Sequence, residues 1–350
     1  MIDNEISKLR NDIDKIDEEI VRLLKTRIEL VKKIGEIKHK EKLPVADENR
    51  ENEKLNNLVM LANELSIPTQ MINNIYREIF KWSKVFQISA CKRNVAIIGT
   101  GKMAFTLASL IAYGGHHVII SHIYEEEAEK LAKSLNLEYK KLKDLRDSID
   151  IAILAVSPQA LDNENFIKSL EVLKHKIVMD ILSVKHGNYE KIKELSKLYD
   201  FIYISTHPLF GPSHLPVGER IAIIDNPDIS EEIKNDVISF WRGLGLTPVL
   251  IDREYHDKLM ATIQVIPHFM LLSMKNAIER ILKELNIDLR KDCFTTNFRQ
   301  IYDILNKLED IRQVLFEIQF ENPYSTLARK ISLEEINKMY LTLNSQVKNP

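Results

Sequence analysis

Apolar residues over positions 3–40 fall at Ile6, Leu9, Ile13, Ile16, Ile20, Leu23, Leu24, Leu30, Val31, Ile34 and Ile37, in steps of three and four with charges between them. That period predicts one long amphipathic helix. About 36 residues at ~1.5 Å each would run roughly 54 Å, more than a domain of about 90 residues can cover, so the pattern implies a second chain packed along it. Pro44 closes this segment. A second helix is predicted from Asp47 to Leu65 and, after Pro68, a third from Thr69 to Gln87. Residues 1–90 therefore read as an all-helical domain.

After "CKRN" the pattern changes to short runs rich in Val and Ile: "VAIIG" at 95, "HVIIS" at 117, "IAILAV" at 151, "KIVMDI" at 176, "FIYIS" at 201 and "RIAII" at 220. Helical spacing separates them, which predicts a parallel sheet with crossover helices over 93–251. From 252 to 350 helical spacing returns, with long segments at 253–284 and 297–320. The expected fold class is multidomain: all-α, then α/β, then all-α.

Composition narrows the ligands. With 350 residues, 49 Lys and Arg against 51 Asp and Glu, and a net charge of -2, nothing in the bulk electrostatics favours nucleic acid or an anionic membrane. Small molecules are the expected partners. Cys91 and Cys293 stand far apart without His or Cys at ligand spacing, which argues against a disulfide framework and against a metal site. No apolar run approaches the roughly 18 to 20 residues of a membrane span, and the N-terminus is charged from its third residue, so a cytoplasmic location is expected.

The stretch "AIIGTGKMAF" at 96–105 admits two phosphate-binding readings. A Walker-type loop needs a glycine where Ala96 stands and a Ser or Thr where Met103 stands, so that reading fails. Gly99, Gly101 and Ala104 instead supply Gly-x-Gly-x-x-Ala directly after a strand, the dinucleotide-binding pattern of a Rossmann fold. Backbone amides of Lys102, Met103 and Ala104 at the helix start would face a pyrophosphate. The acid usually found about 20 residues further on is missing, and Ser121 and His122 occupy its place. Either could donate to a 2′-phosphate, whereas Glu125, Glu126 and Glu127 oppose one unless they lie along a helix facing solvent, so both NAD and NADP remain open as cofactor.

Charges on the N-terminal helices also cluster. Arg27 and Lys38 are 11 residues apart and lie within roughly 20° on one helical face, with Arg10 turned about 100° away. Asp47, Arg50 and Glu51 fall at i, i+3 and i+4, and Ser83 and Gln87 at i and i+4.

With "LRNDIDKIDEEIVRLLKTRIELVKKIGEIK", "PVADENRE" and "WSKVFQ" in this order, residues 1–89 resemble the all-helical chorismate mutase family. The resemblance implies that Arg27 and Lys38, with Arg10 donated by a partner subunit, hold the carboxylates and ether oxygen of chorismate. It further implies that Asp47 and Glu51 bind the hydroxyl side, and that Ser83 and Gln87 complete the pocket, Gln87 reaching the ether oxygen. These residue types suit the reaction. A Claisen rearrangement needs no nucleophile, only a dianion held in a compact chair and donors where charge builds on the breaking C–O bond.

In the second region "STHPLFGPSH" at 205–214 follows a strand, and Pro208 restricts His207 to extended backbone, giving a loop that mounts one imidazole rigidly. Together with "LAVSPQ", "DILSVK" and "TIQVIPHF" it makes residues 94–350 resemble prephenate dehydrogenase. That resemblance implies that His207 takes a hydrogen bond from the prephenate ring hydroxyl, that Ser157 orients substrate and nicotinamide, and that His268 and Lys185 line the pocket. It also implies a dimerising C-terminal domain. The family's carboxylate-binding arginine falls here on "DILNKLED", at Asn306 or Lys307, with Arg299 as the other candidate.

Prephenate links the halves, as product of one reaction and substrate of the other. The leading expectation is a homodimeric, bifunctional enzyme of tyrosine biosynthesis. The alternatives are an arogenate dehydrogenase or other NAD(P)-dependent reductase whose helical domain only dimerises, and a non-enzymatic interaction module.

Overall fold

The computed structural model describes residues 2–41, 47–87, 92–213 and 215–346; Pro44 and Cys91 lie outside them. The chain divides into two compact units, one of Met1–Val156, Asn165–Ile181 and Tyr199–Val249, the other of Ser157–Glu164, Leu182–Leu198 and Leu250–Pro350.

The first unit begins with α1 (Ile2–Lys40), α2 (Glu48–Glu64) and α3 (Thr69–Phe86). α3 packs on both α1 and α2. Asp47 caps α2, its carboxylate accepting from the Arg50 N–H at 3.0 Å. Gly35 is required where α1 meets the end of α3, since a Cβ there would lie 2.6 Å from the Gln87 Cα and carbonyl oxygen. Much of the apolar stripe of α1 stays exposed, including Leu9, Ile13, Ile16, Ile20, Leu30 and Ile37.

The sheet follows: β1 (Asn94–Ile98), α4 (Lys102–Tyr113), β2 (His117–Ser121), α5 (Glu125–Leu135), β3 (Glu138–Tyr139) and β4 (Ile151–Leu154), then α6 (Glu164–Ser169) and β5 (Ile177–Asp180), after which the chain passes through α7 (Asn188–Tyr199) of the second unit. β6 (Ile202–Pro208), β7 (Arg220–Ile224), α8 (Glu231–Gly243) and β8 (Thr247–Ile251) complete it. Among the described residues the strand order is β3-β2-β1-β4-β5-β6-β7-β8. β1 pairs in parallel with β2 and β4, as Ile98 beside Ser121 and Leu154 shows. The order therefore reverses between β1 and β4, the place where open α/β sheets bind ligands. Buried Val95, Ile97, Leu107, Ile111, Ile153 and Trp241 form the core under that point.

Two expectations need correction here. The sheet is not wholly parallel: β6 and β7 run antiparallel, with His207 opposite Ala222. Residues 209–219 join them, too short a connection for the dozen or more residues of a parallel crossover. His207 is also not a loop residue. It lies within β6, buried, one residue before the Pro208 that ends the strand.

The second unit holds the C-terminal helices. α9 (Arg253–Met260) runs through a π-type segment, Ala261–Val265, into α10 (Ile266–Leu285), where the spacing had predicted one uninterrupted helix. α11 (Thr296–Asp310) and α12 (Arg312–Glu321) break at Ile311, and α13 (Ser325–Gln346) follows. Val184, Ala261, Val265, Ile318 and Ala328 form a core of this unit.

Candidate active sites

In the helical part, Arg27 is half-buried on α1 and its Nη1 donates to Ser83 Oγ at 2.5 Å. Ser83 in turn donates to the Ile79 carbonyl at 2.5 Å, so the hydroxyl is oriented by its own helix. Burial lowers the Arg27 pKa from its ordinary value, with Tyr76 acting in the opposite direction. Arginine remains a cation regardless. The Phe80 ring centroid lies 6.0 Å from the guanidinium carbon.

Gln87 donates to the Ser83 carbonyl at 3.2 Å, while its Oε1 is buried without a partner. Lys38 is half-buried one turn beyond Gly35, the residue that touches Gln87. Glu51 pairs with Lys84 at 2.9 Å, a cation that the sequence reading passed over although it stands inside "WSKVFQ". Asp47 is exposed and engaged as the α2 cap. Arg10 is exposed on α1, 17 residues before Arg27, or about 26 Å along the helix, and so lies far outside the reach of the Arg27 pocket in its own chain.

In the sheet, Gly99 closes the turn after β1 with φ +151°, and a Cβ there would lie 2.0 Å from the Ala155 carbonyl oxygen. Its N–H donates to the Ser121 carbonyl at 3.0 Å, joining the turn to the end of β2. Gly101 is the N-cap of α4, has no side-chain cap, and a Cβ on it would meet nothing within 4 Å. The space over the α4 N-terminus is thus open, and its first turn carries no acid. Lys102 is exposed there, Met103 half-buried and Ala104 buried. These residues fit a dinucleotide pyrophosphate, which a helix N-terminus attracts through its amides and dipole.

Around the end of β2, Ser121 is fully buried and its Oγ has no partner. His122 is half-buried, accepts from the Tyr124 N–H at 3.2 Å, and has its pKa lowered by burial against an opposing effect of Glu127. Deeper in the sheet, Tyr203 donates to Asp180 at 2.7 Å and Thr206 to the Asp180 carbonyl at 2.6 Å, fixing the strand that carries His207. Thr106 of α4 and Ser213 exchange two hydrogen bonds at 2.9 and 3.2 Å, which fastens the segment after β6 to α4.

Ser157, Lys185, His268, Arg299 and Lys307 belong to the second unit. Ser157 is half-buried at the head of a 3₁₀ turn. Lys185 is buried, and its backbone N–H donates to Asp257 at 3.2 Å, beside His256 Nδ1 at 3.1 Å from the same oxygen. His268 is half-buried; burial lowers its pKa and leaves Nδ1 without a partner. Gln264 Oε1, one helical turn earlier across the π-type segment, is likewise buried and unpartnered. Sequence reasoning missed Gln264, whose only signal was its place within "TIQVIPHF". Arg299 and Lys307 are both exposed on α11.

The chain is similar to known proteins in its helical part and in its sheet part. Residues 9–88 match the family Chorismate mutase type II. The three N-terminal helices are thus the part of the chain that is similar to that family. Residues 94–184 match NADP oxidoreductase coenzyme F420-dependent. A probable arogenate/prephenate dehydrogenase of Methanocaldococcus jannaschii is 28% identical over 56% of this chain and 44% of its own length. The T-protein of Enterobacter agglomerans is 24% identical over 76% of this chain and 68% of its own. The chain thus spans less than half the length of the first relative and about two thirds of the second. Prephenate dehydrogenase of A. aeolicus, solved with hydroxyphenyl propionate and NAD+, superposes with a TM-score of 0.57 at 16% identity, covering 74% of this chain and 94% of that one. The likeness shows the fold: helices, then a Rossmann-type sheet, then a helical C-terminal region.

Proposed function

We propose that this chain catalyses two successive steps of tyrosine biosynthesis: rearrangement of chorismate to prephenate, then oxidative decarboxylation of prephenate to 4-hydroxyphenylpyruvate with NAD or NADP. The observation that carries the reading is the presence, on one chain, of the Arg27 guanidinium pinned by Ser83 and of the open glycine turn that starts α4. The functional parts are residues 1–90, 93–251 and 252–350. Likeness to an arogenate/prephenate dehydrogenase keeps arogenate as the second substrate to test.

In the first reaction the residues need only hold and polarise. Ser83 occupies part of the Arg27 fork and sets its direction, leaving other N–H donors for a substrate carboxylate. Lys38 supplies a second, compact positive charge. Gln87 and Glu51 stand nearest the reacting ether and the hydroxyl, and Asp47 holds the start of α2. Arg10 enters from the partner subunit, because its own helix carries it away from Arg27. Holding the dianion in its reactive shape and placing donors at the breaking bond are the whole of the catalysis.

In the second reaction the amides of residues 102–104 would hold the dinucleotide at α4, with Gly99 and Gly101 giving backbone access. A bound nicotinamide would supply the acceptor for the hydride of the ring carbon that bears the hydroxyl. His207, rigid on β6, takes the hydroxyl proton as that carbon becomes a carbonyl, and loss of the ring carboxylate as carbon dioxide then yields the aromatic product. Ser157 and His268 are assigned to substrate contact, Lys185 to the support of that region, and Arg299 or Lys307 to a substrate carboxylate. The working enzyme is a homodimer in the cytoplasm.

The test is to add chorismate alone and then NAD+ or NADP+, with prephenate and arogenate as separate second substrates. Chorismate loss without nucleotide, followed by reduced nicotinamide formed in step with 4-hydroxyphenylpyruvate, is expected. Oxidation without any chorismate turnover would reduce the helices to a dimerisation module.

A further inference from the structure

The dinucleotide pattern normally places an acid at the end of the second strand, where it binds the ribose 2′-hydroxyl of NAD. Here β2 ends at Ser121 and His122 follows it, neither of them acidic. A carboxylate from another element does reach the glycine turn. Glu127, in the first turn of α5, accepts a hydrogen bond from Thr100 Oγ1 at 3.0 Å, and Thr100 is the residue between Gly99 and Gly101. All three acids of this turn are exposed, and they differ in partner: Glu125 is paired with Lys141 at 2.8 Å, while Glu127 takes the Thr100 hydroxyl at 3.0 Å. Of the three glutamates, Glu127 is the one bonded to the glycine turn.

An independent observation marks the same place. Ser121 Oγ is fully buried and unpartnered, and the Ser121 carbonyl accepts from Gly99 N–H, so β2 and α5 both touch the turn at adjacent residues. The ribose of a dinucleotide on α4 must pass between the turn and the end of β2. We infer that Glu127, held by Thr100, takes over the role of the missing strand-end acid and selects NAD against NADP. The reason is charge: a carboxylate accepts from a 2′-hydroxyl, but beside a 2′-phosphate it is a like charge at close range. His122 does not offset it, since burial keeps that imidazole toward its neutral form.

This inference rests on the dinucleotide reading of the α4 turn. The experiment measures dissociation constants of NAD+ and NADP+ by titration calorimetry on the full-length protein, wild type and variants, at low and high salt. The wild type is expected to bind NAD+ at least about tenfold more tightly than NADP+, with the gap narrowing as salt screens the repulsion. Glu127→Gln keeps an acceptor for Thr100 but removes the charge, and narrows the preference by roughly tenfold or more. Glu127→Lys reverses it, and Glu126→Gln leaves it in place.

Wild type binding both nucleotides equally, or a preference unchanged in both Glu127 variants, overturns the inference while leaving the dinucleotide site intact. The same holds if Glu126→Gln acts as strongly as Glu127→Gln. Failure of the wild type to bind either nucleotide removes the dinucleotide site, and this inference with it.

Discussion

The Arg27 guanidinium of α1 and the Ser83 hydroxyl of α3 meet at 2.5 Å, and this contact joins the packing of the N-terminal helices to the direction of their half-buried arginine. Arg27→Ala is expected to lower chorismate turnover by about 10² to 10³, the usual cost of one donor aimed at developing charge, while prephenate oxidation stays near wild type. Both rates are to be measured on the same preparation. Equal loss of both would mean global unfolding or one shared site, and would end the two-site reading.

Gly35→Ala should destabilise the protein although alanine is the better helix former. Replacing a mid-helix glycine gains about 0.5 to 1 kcal/mol. Against it, the new Cβ meets Gln87 backbone atoms at 2.6 Å, which no side-chain rotation relieves, and overpacking costs about 1 to 3 kcal/mol. Denaturant midpoints for the two proteins decide the sign, and a stabilised variant would show that α3 can give way at Gln87.

The two glycines of the α4 turn separate stability from binding. Gly99→Ala puts a Cβ against the Ala155 carbonyl at a φ that side chains rarely adopt, so melting temperature and nucleotide binding should both fall. Gly101→Ala has open space around it and should melt like the wild type while binding NAD+ more weakly. Equal melting temperatures for all three proteins would refute the close packing at Gly99.

His207→Asn is expected to cut prephenate oxidation by about 10² to 10⁴, mainly in kcat, with nucleotide affinity and chorismate turnover retained. Asparagine keeps a hydrogen bond and cannot take the proton. Near-normal turnover in this variant would make His207 structural and turn attention to His268.

Stability should decrease on acidification, in part through His116. Its pKa is lowered first by burial and then by Arg93, and its Nδ1 accepts from the Arg93 N–H at 3.2 Å. Because the folded pKa lies below the unfolded value near 6.5, the unfolded chain binds more protons below that pH. The stabilisation is fully present above about pH 6.5 and is lost as pH falls through the lower, folded value. His116→Gln should flatten the difference between unfolding free energies at pH 7.5 and 5.5; an unchanged slope would clear His116 of this role.

The apolar stripe left exposed along α1, from Leu9 to Ile37, predicts an even-numbered assembly in sedimentation. A monomer at micromolar concentration with full mutase rate would contradict the supply of Arg10 by a second copy.

Local pattern determined a good part of this molecule. The three N-terminal helices, the strands from β1 to β7 apart from two-residue β3, and the glycine turn were all legible, because a helix or strand writes its own side-chain period into the chain, and a turn with φ above zero asks for glycine. Strand direction was not. β6 and β7 are buried on nearly every residue, so no in-and-out alternation marks their direction, and their antiparallel pairing, with the place of His207 inside a strand, depends on the short path between them. The pairing of Lys84 with Glu51 and the unpartnered Gln264 were equally hidden, since contacts between elements are set by packing and leave no period in the sequence. The same reason governs the acid at the dinucleotide turn: Thr100 and Glu127 are 27 residues apart, and it is the parallel placement of β2 beside β1 that brings α5 back to the turn.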